Sequence, residues 1–183
     1  MKKTILPLVA VAALMTGGIA TAPASTADAV PAPVAGDLRI VRVGTDAMGT
    51  DSFANRNREY VTFQNRSGHS VDIANVLVED NWAHGRTLAK RPHTCNTYKI
   101  TDLPGNDTTE LAPGEYVTVF NGSRVGGDSK VGPEYRLYAN SDVDCGTAGH
   151  FLNNDADTVW VTLADGGELA KKSWDWNGGY YVR

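Results

Sequence analysis

Hydrophobic residues along this chain recur with a period of two. Val61 and Phe63 alternate with Tyr60, Thr62 and Gln64. Val71 and Ile73 flank Asp72. Val117 and Val119 alternate with Tyr116, Thr118 and Phe120, and Val159, Val161 and Leu163 with Trp160 and Thr162. Successive side chains of an extended backbone point to opposite faces, so each run predicts a strand with one apolar face. The residues are β-branched or aromatic, types that suit a pleated, half-buried surface. Strands are predicted over residues 38–43, 59–65, 71–78, 97–100, 115–120, 135–138, 158–163 and 168–174. No segment carries a sustained helical stripe.

Breakers separate these runs. Asn65-Arg66-Ser67-Gly68, Leu103-Pro104-Gly105-Asn106-Asp107 and Ala112-Pro113-Gly114 read as turns. Ala164-Asp165-Gly166-Gly167 stands at hairpin distance between two strands. Residues 121–133, rich in glycine, read as a long surface loop. About seven to nine short strands with regular turn signals predict an all-β sandwich. Its inward set is Ile40, Val61, Phe63, Val71, Ile73, Leu77 or Val78, Leu111, Val117, Val119, Leu137, Val159, Val161 and Leu163.

The first residues break this pattern. Lys2 and Lys3 precede an apolar run from Ile5 to Met15, and Ala22-Pro23-Ala24 and Ala27-Asp28-Ala29 follow. That layout predicts a secretory signal peptide over residues 1–29, with cleavage after Ala29. The apolar run is shorter than the roughly 20 residues a membrane-spanning helix needs. A Pro/Ala linker over 30–36 and one domain over 37–183 complete the expected organisation, for an extracellular product.

Charge narrows the partners. The chain of 183 residues has a formal net charge of −4 and no basic stripe; its densest basic stretch is Arg86, Lys90, Arg91 and His93. Nucleic acid is therefore disfavoured. Two cysteines, Cys95 and Cys145, read as a disulfide in an oxidising compartment. Zinc held by His93, Cys95, Cys145 and His150 is the competing reading, but these spacings match no common structural zinc pattern.

Candidate chemistry is sparse. Gly127-Asp128-Ser129 resembles a serine nucleophile motif, but Lys130 stands where that motif needs glycine. Asp142, Asp144, Asn153, Asn154, Asp155 and Asp157 are oxygen ligands of the kind calcium takes, without the spacing of an EF-hand loop. No cofactor and no catalytic residue are assigned. The aromatic tail is the main candidate for binding: Trp174, Trp176, Tyr180 and Tyr181 lie close together, with Trp174 and Trp176 on one face of a strand. Exposed aromatics beside Asp or Asn make platforms for sugars or peptides; the competing reading is that these cap the open end of the core, since Trp is highly buried on average. Trp82 with Arg86, beside His84, is a second candidate patch.

Four motifs in order resemble a known family, the lamin-tail domains. Glu59-Tyr60-Val61-Thr62-Phe63-Gln64-Asn65 is similar to the family's Glu-Tyr-Val strand, which ends in Asn. Val71-Asp72-Ile73 is similar to its next step, and Leu111-Ala112-Pro113-Gly114-Glu115 to its Pro-Gly-Glu turn. Residues 153–159, leading to Leu163-Ala164-Asp165-Gly166-Gly167, resemble its hairpin around Asp157 and Asp165. The segment 79–102 is longer than the family's usual one. The resemblance implies an immunoglobulin-like fold and scaffold roles for these motif residues. It also implies a non-catalytic binding module of an exported bacterial type.

The expected function is thus an extracellular binding module for a protein or an envelope polysaccharide, acting as a monomer. A small secreted hydrolase or metal-dependent enzyme is the alternative; it needs His84, His93 or His150 to converge with carboxylates. A structural protein that self-associates through sheet edges is a third reading.

Overall fold

The computed structural model of the chain describes residues 29–45, 52, 54–91, 96–105, 108–140, 152, 156–175 and 181–182, the last two by backbone alone. Its strands are β1 (Leu38–Gly44), β2 (Tyr60–Asn65), β3 (Val71–Asp72), β4 (Leu77–Glu79), β5 (Thr97–Lys99), β6 (Glu110–Leu111), β7 (Tyr116–Phe120), β8 (Ser129–Val131), β9 (Glu134–Tyr138), β10 (Ala156–Thr162), β11 (Glu168–Asp175) and β12 (Tyr181–Val182). One helical turn, α1 (Asn81–His84), follows β4. The first sheet runs in the order β12-β1-β2-β7-β9-β8, the second β11-β10-β4-β5, and β3 pairs with β6 apart from both. Pairing is antiparallel except between β7 and β9, where β9 lies between β7 and its own hairpin partner β8.

The core fills the space between the sheets. Val43, Val61, Phe63, Val117, Val119, Tyr135 and Leu137 from the first sheet belong to one cluster with Val78, Val159, Val161, Leu169 and Trp174 from the second. Val71, Ile73, Ile100, Leu103 and Leu111 extend it. The architecture is an all-β sandwich, built by the alternation of period two. Of the predicted inward set, Leu163 alone is only partly buried. It follows the register shift between Val161 and Thr162, where strict alternation ends.

Several predicted features are corrected. Residues 71–78 do not form one strand. Asp72 Oδ1 accepts from Ala74 N at 3.0 Å and from the Thr109 hydroxyl. Asn75 then takes the left-handed conformation at φ 62°. The chain thereby leaves β6 and joins β10. The pattern concealed this bend because Ile73 and Val76, on either side of it, are both buried. The stretch 121–133 is not all loop, since β8 folds back on β9. Pro31, read as part of a linker, accepts from Asp72 N at 2.8 Å, and Pro33 is buried.

The expectation of a single apolar face also fails for β2, which is buried on both sides. Its second face is polar. Thr62 and Thr118 share a hydrogen bond of 2.9 Å across β2 and β7, and Thr118 donates to Glu134 at 2.6 Å. Arg136 and Arg42 close on the same carboxylate at 2.9 and 3.6 Å. Long charged side chains thus roof a ladder of hydroxyls that can be buried because each is hydrogen-bonded.

Candidate binding groove

The segment that follows β4 builds the most distinctive surface. Asp80 caps α1: its Oδ1 accepts from Ala83 N at 2.7 Å, the role for which Asp is favoured at that position. Its Oδ2 accepts from Asn96 Nδ2 at 2.6 Å, tying the start of the segment to its return. His84 Nδ1 meets the buried Glu79 at 3.0 Å, and the imidazole stacks on Trp160 with centroids 3.9 Å apart and planes 5° from parallel. Lys171 lies 4.9 Å from the other component of that stack, the Trp160 ring. Glu79 and Trp160 are cross-strand partners on β4 and β10, so α1 is seated on the second sheet by a carboxylate and an aromatic side by side.

Seating α1 there creates a groove of about 440 Å³ lined by Asn81, Trp82, Ala156, Asp157, Thr158, Ser173 and Trp174. Trp82 is 53% exposed, and the Arg86 guanidinium lies 4.1 Å from its ring centroid. The Thr158 and Ser173 hydroxyls, cross-strand neighbours, are hydrogen-bonded at 2.8 Å. Asp157 Oδ1 accepts from Thr158 N at 2.7 Å and from Asn81 N at 3.3 Å, linking β10 to α1.

The candidates named from the sequence are distributed unevenly. Trp82 and Arg86 form one exposed unit at the groove. Of the two readings of the tail, Trp174 takes the one in which it caps the core: it is 9% exposed. It stands opposite Asp157 on β10 and therefore shares the inward face with Val159 and Val161. It still reaches the groove wall, so the two patches treated as separate in the sequence meet at one place. Trp176 and Tyr180 lie outside the described residues; Tyr181 pairs with Gly44 in β12. The floor residues Thr158 and Ser173 carried no sequence signal beyond their place in two strands, because only the β10–β11 register brings them together.

The motif residues hold the scaffold. Glu59 is buried and accepts from Asn121 Nδ2 and Leu152 N at 3.1 and 3.3 Å. Tyr60 packs its ring on Phe120, and Val61 lies in the core. Asn65 ties three segments through its side chain. Gly114, at φ 82° after Pro113, makes a turn closed by Glu115 N donating to Ala112 O at 3.1 Å. Asp165 accepts from Gly167 N at 3.0 Å in the hairpin turn. The cysteines Cys95 and Cys145 lie outside the described residues, as do His93, His150, Asp142, Asp144, Asn153, Asn154 and Asp155. Ser129 sits in β8 beside Arg124, which donates to its hydroxyl at 3.2 Å. Among the described residues no group of three or more His, Cys, Asp or Glu side chains is poised to hold a metal, and no helix is long and apolar enough to cross a membrane.

With this geometry in place, one comparison decides the family. The family described as Lamin Tail Domain matches residues 31–177. The chain belongs to the lamin tail domain family. A search of curated proteins gives no match. The lamin tail domain is an immunoglobulin-like fold of the interaction type, and the sandwich here has that fold. Within this lamin tail domain the match begins at Pro31, the residue whose carbonyl joins the sandwich.

The acid beneath α1 gives the lamin tail domain a measurable pH response. Burial pushes the Asp80 carboxyl up from 3.8 to about 6; hydrogen bonds from Ala83 and Asn96 oppose the rise and the charge of Asp157 adds to it. The folded state then holds the Asp80 proton more tightly than the unfolded state does. This contribution to stability is complete below pH 3.8 and is lost as pH rises through about 6. In urea unfolding, the stability of wild type relative to Asp80→Asn is expected to fall by on the order of 1–3 kcal/mol between about pH 4 and pH 7. A difference that stays constant over that range excludes Asp80 as the titrating group.

Proposed function

We propose that this lamin tail domain is exported and acts outside the cell as a non-catalytic binding module at the cell envelope, with the Trp82 groove as its contact surface. The observation that carries the reading is an exposed indole, held by Arg86, at the wall of a groove whose floor is fixed to a rigid sheet. Large aromatic side chains presented by loops on a sandwich supply contact area at little entropic cost. The leader-like residues 1–29 support export.

The purified exported chain is expected to sediment with intact cells and with the envelope fraction of its own source, and Trp82→Ala to remain in the supernatant. Retention that survives Trp82→Ala removes the groove from the reading. N-terminal sequencing of protein recovered from the medium tests the leader: a chain that still begins at Met1, or one found only in the cell, ends the extracellular assignment.

A Cys95–Cys145 disulfide fits that compartment. It would clamp the segment that carries Trp82 and Asn96. Alkylation and intact-mass measurement of the exported chain should detect no free thiol; two alkylated cysteines without reductant exclude the bridge.

A further inference from the structure

The groove has properties that select among ligand classes. Its size lies within the range of about 300–1,000 Å³ typical of small-ligand sites. Charges of both signs stand at it: Arg86 against the Trp82 ring, and the largely buried Asp157 in the lining, where its Oδ1 accepts from Asn81 N. An anionic polymer meets the carboxylate, and a cationic one meets Arg86. Neither sign is matched along the whole groove. The mixture instead offers hydrogen-bond donors on one side and acceptors on the other. Between them, the Thr158–Ser173 pair shares one hydroxyl proton and keeps a second proton and lone pairs for an outside partner.

The Arg86 guanidinium packs on the indole, 4.1 Å from the ring centroid, and Trp82 still keeps 53% exposure. By packing there Arg86 also restricts the Trp82 side chain before anything binds, which lowers the entropy lost on binding. An apolar ring face beside convergent donors and acceptors is complementary to a molecule with C–H groups on its faces and hydroxyls around its edge. We propose that the groove takes a neutral pyranose chain, with one sugar ring stacked on Trp82 and its hydroxyls engaged by Arg86, Asp157 and the Thr158–Ser173 pair. This rests on the reading of the groove as the contact surface and gives its ligand a chemical class.

The test follows the Trp82 indole N–H of the wild type, and in wild type and every variant the backbone amides of Asn81, Thr158 and Ser173, in ¹H–¹⁵N spectra of the purified exported chain. The probes are the hexasaccharides of β-1,3-linked glucose and of N-acetylglucosamine, a polyphosphate, and an arginine-rich octapeptide. A neutral hexasaccharide is expected to shift the indole resonance with a dissociation constant below about 1 mM. Binding should weaken by about tenfold or more in Trp82→Ala and change little in Glu168→Gln, which removes a charge on β11 away from the groove lining. A Trp82→Phe variant, which keeps an aromatic face, should retain part of the affinity. The proposal is overturned if neither saccharide shifts the indole, if either binds Trp82→Ala as well as wild type, or if polyphosphate or the basic peptide is the probe that shifts it. If envelope retention depends on Trp82 while the saccharides fail, the ligand class is wrong and the groove stands. If retention survives Trp82→Ala, the groove itself is wrong.

Discussion

Phe63→Ala is expected to lower the unfolding free energy by about 4 kcal/mol, the largest single effect of any side-chain truncation considered for this protein. Phe63 is fully buried on β2. Its cross-strand neighbours are Ile40 on β1 and Val117 on β7, so it sits mid-sheet with strands on both sides. Truncation removes most of a ring's worth of buried apolar surface and leaves a cavity that three paired strands cannot close by shifting. The cost is the transfer free energy plus the cavity term. Urea denaturation followed by tryptophan fluorescence measures it: the midpoint should fall while the slope stays unchanged, since the surface exposed on unfolding is nearly the same. A loss below about 1 kcal/mol would mean that the two sheets are not packed over Phe63 as described.

Asn65→Ala is expected to cost about 3 kcal/mol, although it removes no apolar contact of consequence. The Asn65 side chain donates to Leu111 O at 2.8 Å and to His69 O at 2.9 Å. It accepts from Ser67 N at 2.9 Å and from the Ser67 hydroxyl at 2.7 Å. One amide therefore joins the end of β2 to the turn after it and to β6. Alanine takes the amide donor from the buried Leu111 carbonyl and the side-chain acceptor from Ser67 N, while His69 O keeps the Ser67 hydroxyl; a buried group left without its partner costs about 1–3 kcal/mol. The Leu111 carbonyl is the most enclosed of them. Ser67→Ala, which removes only the hydroxyl, should cost about 1 kcal/mol or less by comparison. Equal losses in the two variants would place the weight on the turn rather than on the bridge to β6.

Asn65 also shows how much of the site and scaffold was legible beforehand. Its place at the head of the Asn65-Arg66-Ser67-Gly68 turn marked it as a turn former. It fills that role through side-chain bonds, while the left-handed non-glycine residues among those described are Asn75 and Asn140. Asn75 had no signal of its own, because Ala74 and Asn75 sit inside what looked like one strand. For the groove, Trp82 and Arg86 were visible as a patch, and Trp174 as an aromatic. Their meeting was not visible, since it depends on which face of β11 lies opposite Asp157.

Alternation of apolar residues, breaker positions and the motif from Glu59 to Asn65 were sufficient by themselves for an all-β sandwich and for an inward set of which all but Leu163 are buried, though Val43, Ile100, Leu103, Tyr135 and Leu169 also belong to the core and were not in that set. Those features are local, or repeat at a period that one strand already displays. Tertiary structure alone decided that β2 is buried on both faces, that Trp174 belongs to the core, and that the turn after Asp80 is seated on the second sheet beside Thr158 and Ser173. Each of these depends on strand register and on which segment covers a face, and contacts between residues distant along the chain leave no period in the sequence to be read.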